Sequence, residues 1–232
     1  AAKFATQANY FLPNSIFLQT ITGEWADNPS GQFTEPDMIL IPDFSTATAA
    51  PWTADVTLQV IHDAQDQAGK PVPTAPRNVL RRVIERYDAL GLKPIIAPEL
   101  EFFLVQKNTD PDFPLQPPAG RNGRPETARQ SYSIDAVNEF DPILDLMYDY
   151  CEAMELDVDT LIHESGAAQL EINFIHADPL SRADQVFLFK RTMREAAMRH
   201  NIYATFLAKP MENEPGSAMH IHMSVVDKTT GK

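Results

Sequence analysis

Cysteine is almost absent from this 232-residue chain, whose single copy is Cys151. One cysteine cannot form an intrachain disulfide, and chains without disulfides are typical of reducing compartments, so the cytoplasm is the expected location. Cys151 lies between Met147 and Met154 in a segment with helical spacing. We therefore predict a buried structural thiol rather than a nucleophile.

Basic residues are scarce beside acidic ones: Lys and Arg number 19, Asp and Glu number 32, and the formal net charge is -13. A surface of this charge repels phosphates, which argues against a nucleic-acid or anionic-membrane partner. It suits cationic partners such as metal ions or amines. The sequence also has no apolar run near the roughly 18 residues needed to span a bilayer.

Several nucleotide and hydrolase motifs are missing as well. The sequence contains no G-x-x-x-x-G-K-[ST] and no G-x-G-x-x-G, which excludes a P-loop and a Rossmann phosphate site. It contains no G-x-S-x-G, which excludes the nucleophile elbow of the α/β-hydrolases.

The spacing of apolar residues predicts alternating strands and helices. Ser181, three residues before Asp184, predicts a capping box at the start of the last helix. Residues 108–129 are rich in proline and glycine, so we predict a long loop, either a surface excursion or a flap over a site. The predicted helices are 74–91, 142–156 and 181–201, and the predicted strands are 38–41, 56–61, 95–105, 169–174, 202–208 and 219–226.

Three of these strands have one apolar face and one face of metal-ligand types. Residues two apart in a strand share a face, so the apolar residues between the polar ones are expected to face the core. A solvated outer face normally mixes both charge signs, whereas these polar faces contain neither lysine nor arginine. The polar residues are Glu99 and Glu101 in the first strand, Gln169, Glu171 and Asn173 in the second, and His220, His222 and Ser224 in the third.

These polar faces predict a metal site, provided that the three strands are neighbours. Glu164 precedes the second strand and adds a fourth carboxylate. Carboxylates brought together repel one another unless they are protonated or bridged by cations. Oxygen ligands suit Mg²⁺, a histidine also suits Mn²⁺, and the absence of a thiolate disfavours zinc. Four carboxylates and a histidine fit two ions, an arrangement that can clamp transferring phosphates.

Three motifs in this order resemble those of the glutamine synthetase family. Glu99–Leu104 is similar to its Glu-x-Glu-Phe-Phe strand, and Glu164–Glu171 is similar to its Glu…Gly-Gln-x-Glu segment. Lys209–Ser224 is similar to its Lys-Pro…Gly-Ser-Gly-x-His-x-His-x-Ser signature. The resemblance covers the chain from about Met38 to its end.

The resemblance implies an ATP-dependent ligase that joins the side-chain carboxylate of glutamate to an amine through γ-glutamyl phosphate. It implies two Mg²⁺ or Mn²⁺ ions and places ligands at positions that this sequence matches. The implied roles are a first metal at Glu101, Glu164 and Glu171, a second metal at Glu99 and His220, ATP at His222 and Ser224, and glutamate at Gln169 and Gly216.

The resemblance also implies an α+β fold. Residues 1–74 would be an incomplete β-grasp-like N-terminal domain. Residues 75–232 would be the first part of a catalytic domain with a curved antiparallel sheet flanked by helices. The family assembles as stacked hexameric rings with sites between subunits, so the resemblance implies a homo-oligomer, a dodecamer.

The amine is expected to be organic rather than ammonia. Ammonia-using members carry a Phe-Asp-Gly-Ser-Ser loop near the N-terminus, and the corresponding Leu12–Phe17 more closely resembles the γ-glutamylpolyamine synthetase branch, as do His163-Glu164 and Glu212–Gly216. Three alternatives stay open: a glutamine synthetase that uses ammonia, a non-catalytic scaffold of the same family, and a metal phosphoesterase, which does not explain Lys209–Ser224.

The family's remaining metal glutamate, its phosphate-binding arginines and its flap glutamate are expected beyond Lys232. The catalytic residues therefore cannot be assigned within this sequence. We expect residues 1–232 alone to lack ligase turnover.

Overall fold

The computed structural model describes residues 10–26, 36–127 and 129–232. The chain divides into two compact units, the first formed by residues 1–48, 58–93 and 227–231, and the second by residues 49–57, 94–226 and 232. These units do not coincide with the division expected at residue 74, which stays a prediction.

Among its described residues, the first unit contains a three-stranded antiparallel sheet, one α-helix and two short 3₁₀-helices, Asn14–Leu18 and Phe44–Thr46. In the sheet, β1 (Tyr10–Pro13) pairs with β2 (Asp37–Pro42), and β2 pairs with β5 (His62–Gln65). Helix α1 (Pro76–Ala89) begins with proline, which suits its first turn, and the chain leaves it through Gly91 at a φ of +72°. Met38, Ala64, Val72 and Ala75 form a buried hydrophobic cluster in this unit.

The remaining elements before the second unit's sheet are short. Strands β3 (Thr48–Ala49) and β4 (Leu58–Gln59) form a two-stranded ribbon. The strand predicted over residues 56–61 is thus wrong in its bounds, because only Leu58–Gln59 pairs there and the next strand begins at His62. The strand predicted over residues 38–41 and the helix predicted over residues 74–91 are confirmed.

The second unit is built on a five-stranded sheet with strand order β10-β6-β8-β7, and β9 also pairs with β6. The pairs of β6 with β8, β6 with β9 and β7 with β8 are antiparallel. The strands are β6 (Leu92–Gln106), β7 (Val158–His163), β8 (Gln169–Phe174), β9 (Ile202–Thr205) and β10 (Met219–Asp227).

Helices cover the apolar face of this sheet. Helix α2 (Ile134–Asn138) is short, α3 (Asp141–Ala153) and α4 (Pro179–Arg199) are longer, and α3 packs against α4. The aromatic ring of Phe189 in α4 meets Phe102 of β6 at 6.2 Å and Phe174 of β8 at 5.6 Å between ring centroids. Because Phe102 and Phe189 are fully buried, these contacts form the centre of the core.

The last helix begins earlier than predicted, and the capping box at Ser181 and Asp184 is wrong. Asp178 is the N-cap residue, and its carboxylate accepts hydrogen bonds from the backbone N–H groups of Leu180 and Ser181. The physical reason is that Pro179 occupies the first turn, where a missing N–H costs nothing, so the cap lies directly before it.

Two further predictions about strands are corrected. Strand β9 ends at Thr205 rather than at residue 208. The apolar face of β10 does not face the core, because Ile221, Met223 and Val225 are 53%, 57% and 40% exposed. This strand lies at the edge of the sheet, so its alternating apolar residues stay exposed.

Cys151 is buried in α3, as predicted, with its Sγ 3.6 Å from Sδ of Met147. Burial raises the pKa of this thiol to about 12, which keeps it protonated and unreactive. Among the residues described, no helix has the length and apolar character needed to cross a membrane.

Candidate functional site

The three strands with polar faces are neighbours in one sheet, as the metal hypothesis requires. Strand β6 lies between β10 and β8. The β6–β8 register places Glu101 opposite Glu171 and Glu99 opposite Asn173. The sequence could predict which side chains share a face of each strand, and the strand order then brings these faces together.

Three of the predicted metal ligands form a compact group. Glu99, Glu171 and His220 each offer a ligand atom, and these atoms all lie within 4.8 Å of one another. Glu171 is 6% exposed, whereas the side chains of Glu99 and His220 are 23% and 64% exposed. The group is therefore closed at the sheet and open toward solvent on the β10 side.

His222 lies beside the same group. Its Nε2 is 2.6 Å from Oε1 of Glu99, and Nδ1 of His220 is 3.4 Å from the other oxygen of that carboxylate. Ser224, the other predicted ATP contact, lies farther along β10 and is exposed. Because β10 is an edge strand, both histidines can also be reached by a ligand.

Glu101 is held by the protein itself. Its Oε2 accepts hydrogen bonds from Nε2 of Gln169 at 2.9 Å and from the backbone N–H of Ala218 at 3.0 Å. The side chain is buried, so these donors replace the water that a carboxylate needs. Only one carboxylate oxygen is used in these bonds, which leaves Oε1 as a ligand atom.

Gln169 connects the second strand to the loop before β10. Its amide donates to Glu101 and to the carbonyl oxygen of Gly216, at 2.9 and 3.0 Å, while its Oε1 accepts from the N–H of Gly166 at 2.9 Å. A Cβ on Gly166 would lie 2.7 Å from that Oε1 and 2.7 Å from a ring carbon of Phe103, so only glycine fits. The predicted glutamate-binding residues Gln169 and Gly216 are thus in contact with each other beside Glu101.

The electrostatics of the group are unfavourable without a cation. Burial raises the pKa of Glu171, the hydrogen bond from Asn173 opposes this effect, and the charges of Glu99, Glu164 and Glu101 raise the pKa further. Glu164 thus acts on Glu171 through its charge although it lies outside the three-residue group. A divalent cation would relieve both causes, because it neutralises the carboxylates and supplies ligand bonds.

The donor set therefore fits the divalent cations that the resemblance implies. Carboxylate oxygens with one imidazole suit Mg²⁺ or Mn²⁺. Glu99, Glu171 and His220 would hold one ion directly, and Glu101 and Glu164 are the further ligands available beside them. The division of these five residues between two ions stays a prediction.

A buried pair next to Glu164 was not predicted. His163 is 1% exposed, and its Nε2 is 2.9 Å from Oε2 of Glu126. Its Nδ1 is 2.7 Å from the carbonyl oxygen of Glu164, so both ring nitrogens face acceptors. Burial lowers the pKa of His163, but the hydrogen bond and charge of Glu126, together with Glu164, outweigh it and raise the pKa overall.

Glu126 comes from the long loop predicted over residues 108–129. The described residues of that range contain no helix or strand, which confirms the loop, and its end reaches the turn before β8. The pair was missed because its two members are 37 residues apart and share no local pattern. A lone acidic residue in a Pro- and Gly-rich segment gave no signal of burial.

Comparison with known proteins identifies the family. The model for "Glutamine synthetase, catalytic domain" matches residues 73–232. The gamma-glutamylputrescine synthetase PuuA of Escherichia coli K12 is 34% identical over 220 residues, which cover 93% of this chain and 46% of that protein. A glutamate–isopropylamine ligase of a Pseudomonas species is 34% identical over 193 residues, 83% of this chain and 41% of that protein.

A glutamine synthetase of Pyrococcus horikoshii is also 34% identical, over 193 residues that cover 82% of this chain and 40% of that protein. The chain thus spans about half the length of the curated relatives it matches.

Solved structures share the fold over almost the whole chain. A structure titled "Crystal structure of novel glutamine synthase homolog" has a TM-score of 0.80 and 20% identity, and it matches 97% of this chain and 50% of its own. GmaS solved without ligand has a TM-score of 0.76 and 25% identity, with 98% and 49% of the two chains covered. Because the catalytic-domain model matches residues 73–232, more than half of the chain, this chain belongs to the glutamine synthetase family.

Proposed function

We propose that the protein containing this chain is an ATP-dependent ligase that forms γ-glutamyl amides from glutamate and an organic amine. The observation that carries the proposal is the group of Glu99, Glu171 and His220 within 4.8 Å, on a face that also holds Glu101. Such a group is costly to bury without a cation, and divalent cations are the partners that phosphoryl transfer requires.

The proposed reaction has two steps. An oxygen of the glutamate γ-carboxylate attacks the terminal phosphorus of ATP, and the bond to ADP breaks, which gives γ-glutamyl phosphate. The amine nitrogen then attacks the acyl carbon, inorganic phosphate leaves, and the nitrogen loses a proton. Divalent cations held by residues such as Glu99, Glu171 and His220 would supply charge neutralisation of the phosphate oxygens in the first step.

The residues of this chain bind and orient. Gln169 and Gly216 are proposed to contact glutamate, and Gln169 donates hydrogen bonds to Gly216 and to Glu101. His222 and Ser224 are proposed to contact ATP from the edge strand, where both are exposed. The buried carboxylates of Glu101 and Glu171 would hold the cations at the sheet and away from bulk water.

The choice of an organic amine is supported by two kinds of observation. The relatives named for putrescine and isopropylamine are each 34% identical to this chain, and Leu12–Phe17 resembles the same branch. A relative named glutamine synthetase is equally identical, so ammonia is the competing substrate. Assembly into stacked hexameric rings and a cytoplasmic location are parts of the same proposal.

Phosphate release by the full-length protein tests the proposal. The assay supplies ATP, glutamate and Mg²⁺ with ammonium, putrescine or isopropylamine in turn, and mass spectrometry identifies the amide. We expect turnover with at least one organic amine at a kcat/KM at least tenfold above that for ammonium. Turnover with ammonium alone would favour a glutamine synthetase, and binding of no divalent ion would favour a scaffold.

A further inference from the structure

We propose that Glu126 and His163 are positioning residues that fix the turn from Glu164 to Gln169. One end of this turn is Glu164, a proposed metal ligand, and the other is Gln169, which donates a hydrogen bond to Glu101. The inference rests on the proposed metal site and adds two residues that do not themselves bind a cation.

The turn has an unusual backbone. Ala168 is fully buried and has a φ of +56°, in the left-handed region that favours glycine. A non-glycine residue held there is strained and needs surrounding contacts that prevent its relaxation. The turn is closed by hydrogen bonds from the N–H of Glu164 to the carbonyl oxygen of Gln169 at 2.8 Å and from the N–H of Gln169 to that of Gly166 at 3.1 Å.

Glu126 supplies the contacts from outside the turn. Its Oε2 accepts from the N–H of Ala168 at 2.7 Å and from Nε2 of His163 at 2.9 Å. Its Oε1 accepts from Nε2 of Gln130 at 2.9 Å. The carboxylate is 9% exposed. One buried carboxylate thus accepts hydrogen bonds both from the strained residue Ala168 and from His163.

His163 carries this restraint to the metal ligand. Its Nδ1 donates to the carbonyl oxygen of Glu164 at 2.7 Å, which fixes the backbone from which the Glu164 side chain projects. The other end of the turn is fixed at the same time, because Gln169 donates to Glu101. Glu126, His163 and the turn therefore form one hydrogen-bonded unit beneath two proposed ligands.

Glu126→Ala removes this restraint. It deletes both carboxylate oxygens, so the N–H of Ala168, Nε2 of His163 and Nε2 of Gln130 all lose this acceptor. A matched control is Glu139→Ala, because Oε2 of Glu139 also accepts from a backbone N–H of the long loop, that of Asn122 at 3.0 Å.

The test measures Mn²⁺ affinity of the full-length protein by electron paramagnetic resonance titration, together with the thermal unfolding midpoint without metal. We expect Glu126→Ala to weaken Mn²⁺ binding about 10–100-fold, as is usual for groups that orient ligands. Glu139→Ala should bind Mn²⁺ within about twofold of the wild type, and the unfolding midpoint of Glu126→Ala should fall too little to account for its loss of affinity.

His163→Gln provides a second variant. Because both changes remove the same restraint, the double variant should bind Mn²⁺ about as tightly as the single variant with the larger loss of affinity. Wild-type affinity in Glu126→Ala, an equal loss in Glu139→Ala, or additive losses in the double variant would overturn the inference while leaving the metal site intact. Absence of Mn²⁺ binding by the wild type would instead overturn the proposed function.

Discussion

Glu171 shows at the scale of one residue how function and stability oppose each other in this chain. Its carboxylate is 6% exposed and faces three other carboxylates, and its pKa is raised by burial and by their charge. For an acid, a raised folded pKa means that the charged form is disfavoured in the fold. The penalty is absent below the unfolded pKa and fully present above the folded one.

We predict that Glu171→Gln raises the thermal unfolding midpoint of the metal-free protein at pH 7–8. The amide keeps the acceptor for Asn173, at 3.0 Å in the wild type, and removes the charge. The gain in unfolding midpoint should shrink as the pH falls into the ordinary carboxyl range. With saturating Mn²⁺ the wild type should become the more stable protein, since a ligand at a hundredfold excess over its Kd stabilises by about 2.7 kcal/mol.

Scanning calorimetry from pH 8 down to the ordinary carboxyl range measures the shift in unfolding midpoint. Glu152→Gln, on the exposed part of α3, is the matched control and should leave the midpoint unchanged with and without Mn²⁺. A metal-free Glu171→Gln protein less stable than the wild type at neutral pH would contradict this view of the site.

Among the secondary-structure elements, the core of the second unit depends on Phe102 in β6. Its ring is fully buried and meets Phe206 at 5.4 Å as well as Phe189 of α4. The same strand carries Glu101 on its opposite face, so the packing of Phe102 holds the metal-ligand face in place.

We predict that Phe102→Ala lowers the free energy of unfolding by about 3–5 kcal/mol, because it leaves a cavity in a packed core. Phe187→Ala on α4 is the matched control, since that ring is 67% exposed and its loss should cost under about 0.5 kcal/mol. Urea unfolding followed by tryptophan fluorescence measures both. Equal losses in the two variants would show that β6 and α4 do not pack as described.

The elements that carry the site were predictable because their sequence alternates strictly. Strand β8 was predicted with its observed bounds, and β6 and β10 were predicted to within a few residues. Strand β7 was missed, because Val158–His163 mixes polar and apolar residues without a clean period. The burial of β10 was wrong for another reason: alternation reports two faces, and only the packing of other elements decides whether either face is covered.

At the scale of the whole molecule, the family resemblance indicated that the polar faces of β6, β8 and β10 share one site, which local patterns could not. Adjacency of β6, β8 and β10 is a long-range property, since Glu99 and His220 are far apart in sequence but have side chains 3.4 Å apart. The buried contact of Glu126 with His163 and the turn at Ala168 could not be predicted, because they depend on where a long loop returns.

Anomalous diffraction from crystals of the full-length protein grown with Mn²⁺ tests the proposed metal site. We predict two anomalous peaks per chain on the polar face of the sheet, within bonding distance of Glu99, Glu101, Glu164, Glu171 and His220, and loss of at least one peak in Glu171→Gln. Well-ordered crystals with Mn²⁺ bound elsewhere and no peak beside these side chains would contradict it.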